Sequence, residues 1–148
     1  MTHLTVTEAL DAQRAGATYV DVRSTEEFAA GHPAGAINMP LLDHDEDTGQ
    51  LMPNPNFIRV MKATFAPDAA LLVGCRSGGR SLRAVHMLSA FGFTGVVNVR
   101  GGFEGSCTPT GAVRDQGWTD AGLPVETGAP PDAAWQTFLK AANETAPD

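Results

Sequence analysis

Lysine is nearly absent from this chain of 148 residues: Lys62 and Lys140 are the only two. Acidic residues outnumber basic ones by 17 to 10, and the formal net charge is -7. A chain so acidic repels nucleic-acid backbones and anionic lipid surfaces, so neither nucleic acid nor membrane is expected as a partner. Cysteine is scarce too. Cys75 and Cys107 are too few for a disulfide scaffold. Neither they nor His3, His32, His44 and His86 fall at a metal-ligand spacing, so no metal site is expected. The acidic run around Asp43, Asp45, Glu46 and Asp47 lacks the twelve-residue pattern of a calcium loop and reads as solvated. No apolar run approaches a membrane span. The opening MTHLTVTEAL has no charged stretch leading into an apolar one, so no signal peptide is read. The expected compartment is the cytoplasm, where thiols stay reduced.

Apolar runs alternate with helical stretches along the chain. Hydrophobic residues make up 43 % of it, enough for the core of one domain. HLTV, ATYVDV (17–22), GAINM, AALLVG and GVVNV read as strands. Thr5-Val6-Thr7-Glu8 and Ser24-Thr25-Glu26-Glu27 read as capping boxes, each opening a helix. Leu41 to Pro53 is expected to be an exposed loop. Asn54-Pro55 is expected to cap and start a helix carrying Phe57, Ile58, Met61 and Phe65. A further helix is expected from Ser81 to Phe91, closed by Gly92. This alternation predicts an α/β domain with a mainly parallel sheet covered on both faces. Ligands of such sheets sit beyond the carboxyl ends of the strands. Three such ends carry Arg23, Cys75 and Arg100.

The domain is expected to span residues 1–127. Residues 128–148 form a Pro-rich break and a helix with Trp135, Phe138, Leu139 and Ala142 at helical spacing. That helix is expected to dock on the domain, with a partner-binding helix as the alternative.

The densest chemistry lies in LLVGCRSGGRS (71–81). A buried strand delivers Cys75 to the rim, a six-residue loop runs to Arg80, and Ser81 opens a helix. Gly78 and Gly79 let successive backbone N–H groups converge into an anion nest. Arg76 and Arg80 add full positive charge, and the helix start adds partial charge. All three effects favour an anionic sulfur and would hold an anionic substrate. Ser77 and Ser81 offer hydroxyls to the sulfur or to the loop.

DVRSTEEFAAGHPAGAINMP, CRSGGRS, GGFEG and GWTDAGLPVE together resemble a single rhodanese domain, from about Thr5 to Glu126. The resemblance implies a three-layer fold, a five-stranded parallel sheet flanked by helices on both faces. It implies sulfurtransferase chemistry through a Cys75 persulfide, with no cofactor. The partners implied are a small anionic sulfur donor such as thiosulfate and a thiol or cyanide acceptor, with a protein donor or acceptor as an alternative. Cys75 is the implied nucleophile; Arg76 and Arg80 are expected to bind the donor's anionic end. Ser77, Gly78, Gly79 and Ser81 complete the loop. Asp21 and Arg23 match the family's D-x-R element, Asp21 expected to anchor a loop arginine or a backbone N–H. Glu27 and His32 are expected to be structural.

Two departures stand out. The proline of the family's G-H-I-P-G-A element comes one place early, at Pro33. An insert, EGSCTPTGAVRDQG (104–117), separates Phe103 from Trp118 and is expected to overhang the site. Cys107 within it is read as a spectator, the alternative being a thiol that resolves a persulfide. Two other functions remain open. A non-turnover sulfur carrier would share this sequence. A phosphatase or arsenate reductase of the related fold would need C-x5-R, where this chain has C-x4-R, a ring sized for one sulfur atom.

Overall fold

The runs that read as strands lie side by side. The computed structural model describes residues 3–145. In chain order its elements are β1 (His3–Leu4), α1 (Val6–Arg14), β2 (Thr18–Asp21), α2 (Thr25–Ala30), β3 (His32–Pro33), β4 (Ile37–Asn38), β5 (Leu42–His44), β6 (Leu51–Pro53), α3 (Phe57–Thr64), β7 (Leu71–Gly74), α4 (Gly79–Ala90), β8 (Val96–Val99), β9 (Ser106–Cys107), β10 (Val113–Asp115), β11 (Val125–Glu126) and α5 (Trp135–Thr145). Five strands form one sheet in the order β1-β8-β7-β2-β4, and every pair in it is parallel. The central strand β7 is buried along its whole length, as a strand covered on both faces must be.

Each face of the sheet has its own core. Val20, Val73 and Val96 point into one, where they meet Phe57, Val60 and Met61 of α3, Ala84, Val85 and Leu88 of α4, and Trp135 and Ala142 of α5. Tyr19, Leu72 and Val99 point into the other, against Val6 and Ala9 of α1, Phe28 of α2 and Trp118. Alternation along the strands thus builds the three layers. The tail helix α5 contributes to the first core from beyond the Pro-rich break; its expected continuation, Ala146 to Asp148, lies outside the described residues.

Both capping boxes form. Thr5 and Ser24 each accept a hydrogen bond from the N–H of the residue three places on, and Glu8 and Glu27 reach back to the caps. Three expectations need correction. Leu41 to Pro53 is not a loop: β5 and β6 pair as an antiparallel hairpin, with Asp43 in β5 and Asp45, Glu46 and Asp47 in the turn between the strands. The third helix starts at Phe57, not at Pro55. Asn54 Oδ1 accepts the Asn56 N–H and holds a turn ahead of it. The helix after Cys75 starts at Gly79, not Ser81. Gly78, at φ 127°, breaks the chain so sharply that the next residue is already helical.

Candidate active site

The parallel register brings Asp21 opposite Gly74, so the ends of β2 and β7 lie level at the rim. Cys75 follows β7 there and is 2 % exposed. The chain then turns over Arg76, Ser77 and Gly78 into α4. That turn folds the Gly78 N–H onto Cys75 Sγ at 3.1 Å. The thiol in turn donates to Ser81 Oγ at 3.4 Å, from the first turn of α4. The sulfur therefore sits over a helix N-terminus with one backbone N–H aimed at it, an arrangement that favours negative charge on sulfur.

The two loop arginines are already engaged. Arg80 makes a two-pronged ion pair with Glu27 of α2, Nη1 to Oε1 at 2.6 Å and Nη2 to Oε2 at 3.0 Å. Burial alone would raise the Glu27 carboxyl. The Arg80 hydrogen bonds and the Ser24 cap outweigh that and take it down to about 2. Glu27 holds the Arg80 guanidinium charged and fixed near the sulfur, with which it interacts electrostatically. Arg76 is more exposed and pairs with Glu104, which opens the insert.

Asp21 and Arg23 form a buried pair at 2.6 Å. Asp21 Oδ1 also accepts the Arg23 backbone N–H, and Arg23 Nη2 donates to the Gly31 carbonyl at 2.7 Å. Asp21 anchors Arg23 itself, not an arginine of the 75–80 loop. The guanidinium lies 4.4 Å from the centre of the Phe103 ring. Arg23, Glu27, Gly31, Arg76, Phe103 and Glu104 are among the walls of a cavity of about 390 Å³. Ser77, Gly78 and Gly79 line a different cavity, of about 430 Å³, together with His3, Asn98, Arg100 and Arg114. The catalytic-loop candidate thus stands between two cavities.

Backbone hydrogen bonds join the Arg76–Glu104 pair in tying the start of the insert to the loop. The Phe103 N–H donates to the Cys75 carbonyl and the Glu104 N–H to the Arg76 carbonyl, both at 2.8 Å. Gly102 makes this approach possible. Its φ is 56°, and a Cβ there would lie 2.3 Å from the Cys75 carbonyl oxygen. The insert folds into the β9–β10 hairpin, and Cys107 on it is exposed and free. His32 is buried, donates from Nδ1 to the Phe28 carbonyl at 2.8 Å and stacks on the Phe28 ring.

Three site residues escape a reading of the sequence. Glu27 is hidden because the capping box already explains it; its partner Arg80 lies 53 positions on. Asn98 looks like an ordinary member of an apolar strand, yet it is 4 % exposed and hydrogen-bonds Ser81. A polar residue inside GVVNV was the one available signal, since buried amides must find partners. Gly102 carried a signal in the Gly pair, but its contact belongs to tertiary structure.

The chain is similar to known proteins in sequence and in fold. The Rhodanese-like domain matches residues 5–107. The chain is 37 % identical over 123 residues to thiosulfate sulfurtransferase 16, chloroplastic, of Arabidopsis thaliana, covering 83 % of this chain and 91 % of the relative. It is 37 % identical to the senescence-associated protein DIN1 of Raphanus sativus, covering 84 % of this chain and 61 % of that relative. The crystal structure of Rv0390 from M. tuberculosis superposes with a TM-score of 0.69 at 27 % identity, covering 86 % of this chain and 98 % of the other. The chain belongs to the rhodanese-like family, in which several relatives are named as sulfurtransferases.

Proposed function

We propose that the protein transfers a sulfane sulfur through a persulfide on Cys75. The observation that carries this reading is the Gly78 N–H held 3.1 Å from Cys75 Sγ above the start of α4. Such a donor stabilises sulfur as an anion both before and after it takes up a second sulfur. The Cys75 thiolate attacks the outer sulfur of a donor such as thiosulfate. The new S–S bond forms as the donor's own S–S bond breaks, and sulfite leaves with the bonding pair. An acceptor thiolate or cyanide then attacks the outer sulfur of the persulfide, and the Cys75 thiolate returns. Each step moves one sulfur atom and one electron pair, so no cofactor takes part.

The cavity bearing Arg23 and Arg76 suits the donor's anionic end, with Glu104 giving up Arg76 as the anion arrives. Arg80 stays with Glu27 and acts on the sulfur as a fixed charge. Two measurements test the reading. Intact mass after incubation with thiosulfate is expected to rise by one sulfur atom on Cys75, and a dithiol removes it. Thiocyanate formation from thiosulfate and cyanide is expected in the wild type and is abolished in Cys75→Ser. Full activity in Cys75→Ser overturns the assignment. Absence of the sulfur adduct with thiosulfate, polysulfide and glutathione persulfide alike overturns the chemistry. Loading from a protein donor without cyanide turnover makes the domain a carrier, not an enzyme.

A further inference from the structure

Ser81 leads away from the sulfur into a buried line of polar groups. Its Oγ donates to Asn98 Oδ1 at 2.7 Å, and Asn98 Nδ2 donates to His3 Nδ1 at 3.1 Å. Ser81 is fully buried and Asn98 nearly so. His3 and Asn98 are register partners on the parallel strands β1 and β8, so their side chains stand side by side on the α4 face. His3 is exposed and lines the 430 Å³ cavity. A continuous chain of three contacts thus connects Cys75 to the protein surface at the edge of the sheet.

The chain has a direction. The Cys75 thiol donates to Ser81, Ser81 to the Asn98 carbonyl oxygen, and the Asn98 amide to a bare His3 Nδ1. An amide nitrogen has no free lone pair, so His3 must accept here and carry its proton on Nε2. Once the sulfur is an anion it has no proton to give. Ser81 has a single hydroxyl proton, and the charged sulfur is a stronger claimant for it than Asn98 Oδ1 or the Gly78 carbonyl, which Ser81 Oγ also meets at 3.1 Å. Turning Ser81 toward sulfur leaves Asn98 Oδ1 buried without a donor, which is costly. A half-turn of the Asn98 amide restores every bond: Nδ2–H then donates to Ser81 Oγ, and Oδ1 accepts from His3 Nδ1–H.

We infer that Asn98 is a positioning residue that couples the charge on the Cys75 sulfur to the proton on His3 Nδ1, by reversing the direction of this hydrogen-bond chain. The inference rests on the sulfur becoming anionic, as the proposed function requires. The proton balance closes. Cys75 releases its proton to solvent, and His3 either moves its own proton from Nε2 to Nδ1 through solvent or takes one up as imidazolium. Around His3 stand Arg100, Arg114 and Asp115, with Glu8 of α1 acting on Arg100. Around the sulfur stand Arg80 and Tyr19, the latter flanked by Asp21 and Arg23. Among the described residues the Asn98 side chain hydrogen-bonds Ser81 and His3.

The test is the pH profile of Cys75 alkylation by iodoacetamide, in a Cys107→Ser background so that one thiol reports. Asn98→Leu removes the amide that the reversed chain aims at Ser81 Oγ, whereas in the thiol state the Ser81 hydroxyl still has the Gly78 carbonyl to donate to. It is expected to move the profile to higher pH, slowing alkylation roughly fivefold below its midpoint, the worth of one neutral hydrogen bond. A second readout is the nitrogen NMR spectrum of the His3 ring above that midpoint. Nδ1 is expected to be protonated in the wild type and bare in Cys75→Ser, where no anion forms. A wild-type profile in Asn98→Leu, or one and the same His3 ring state in wild type and Cys75→Ser, overturns the inference. Both readouts follow the thiolate alone. A shifted profile with no sulfur adduct therefore sinks the sulfur-transfer reading and leaves the relay standing, and the reverse result does the opposite.

Discussion

Glu27 shows how one carboxylate serves two levels of structure. It closes the capping box of α2 and holds Arg80 beside the sulfur. Its value of about 2 lies below the ordinary 4.5, so the folded state holds this proton more weakly than the unfolded chain does. The pair therefore contributes stability that is complete above about 4.5 and is lost as the pH falls through about 2. Urea midpoints of the wild type and Glu27→Gln are expected to differ at neutral pH and to converge through that acid window. A gap that stays constant from neutral pH to pH ~2 contradicts the pairing. Tyr19 is the complementary case. Burial drives its phenol well above the usual range, and its hydroxyl packs against Gly74, where a Cβ would fall 2.0 Å from the oxygen. The last glycine of LLVG is thus required by a neighbour that local patterning does not reveal.

The two capping boxes are alike in sequence and geometry, yet they differ in consequence. Thr5→Ala and Ser24→Ala should each cost about 1 kcal/mol of stability. Ser24 also donates from its hydroxyl and its backbone N–H to Glu27 Oε1, at 3.1 and 3.2 Å. Its loss loosens the carboxylate that fixes Arg80. Ser24→Ala is therefore expected to lower kcat/KM for thiosulfate by roughly three- to tenfold, while Thr5→Ala leaves it unchanged. Equal activities in the two variants would show that the α2 cap does not reach the site. Elements with strong local signals were legible: apolar runs rich in Val and Leu gave the sheet strands, and Thr-x-x-Glu and Ser-x-x-Glu gave two helix starts. The small pairings β3–β11, β5–β6 and β9–β10 were not. Their strands are two or three residues long and include Pro, Asp and Ser, so each becomes a strand only because its partner is held opposite.

The whole molecule leans on its tail. Trp135 is 5 % exposed and shares the core of α3 and α4, although a Pro-rich break precedes it. Trp135→Ala is expected to cost about 3–5 kcal/mol, read from urea denaturation. That is a large share of the stability of a domain this size. A loss below about 1 kcal/mol would mean that α5 adds little to the fold. At this scale the candidate site was half visible beforehand. Cys75, the glycines and Arg23 were read from contiguous motifs at strand ends, which topology then gathers. Glu27, Asn98 and Gly102 act across gaps that only the folded sheet closes.

The main-chain clasp between residues 103–104 and the carbonyls of Cys75 and Arg76 uses no side chain of the hairpin that follows. The shape of the sulfur's seat is therefore insulated from the identity of most residues in that hairpin. Mutation can reshape that hairpin, lengthen it or change its charge, and the loop from Cys75 to Arg80 keeps its form. Such a division lets a lineage explore new sulfur donors and acceptors by drift in one appendage, without first having to rebuild the centre that handles the sulfur.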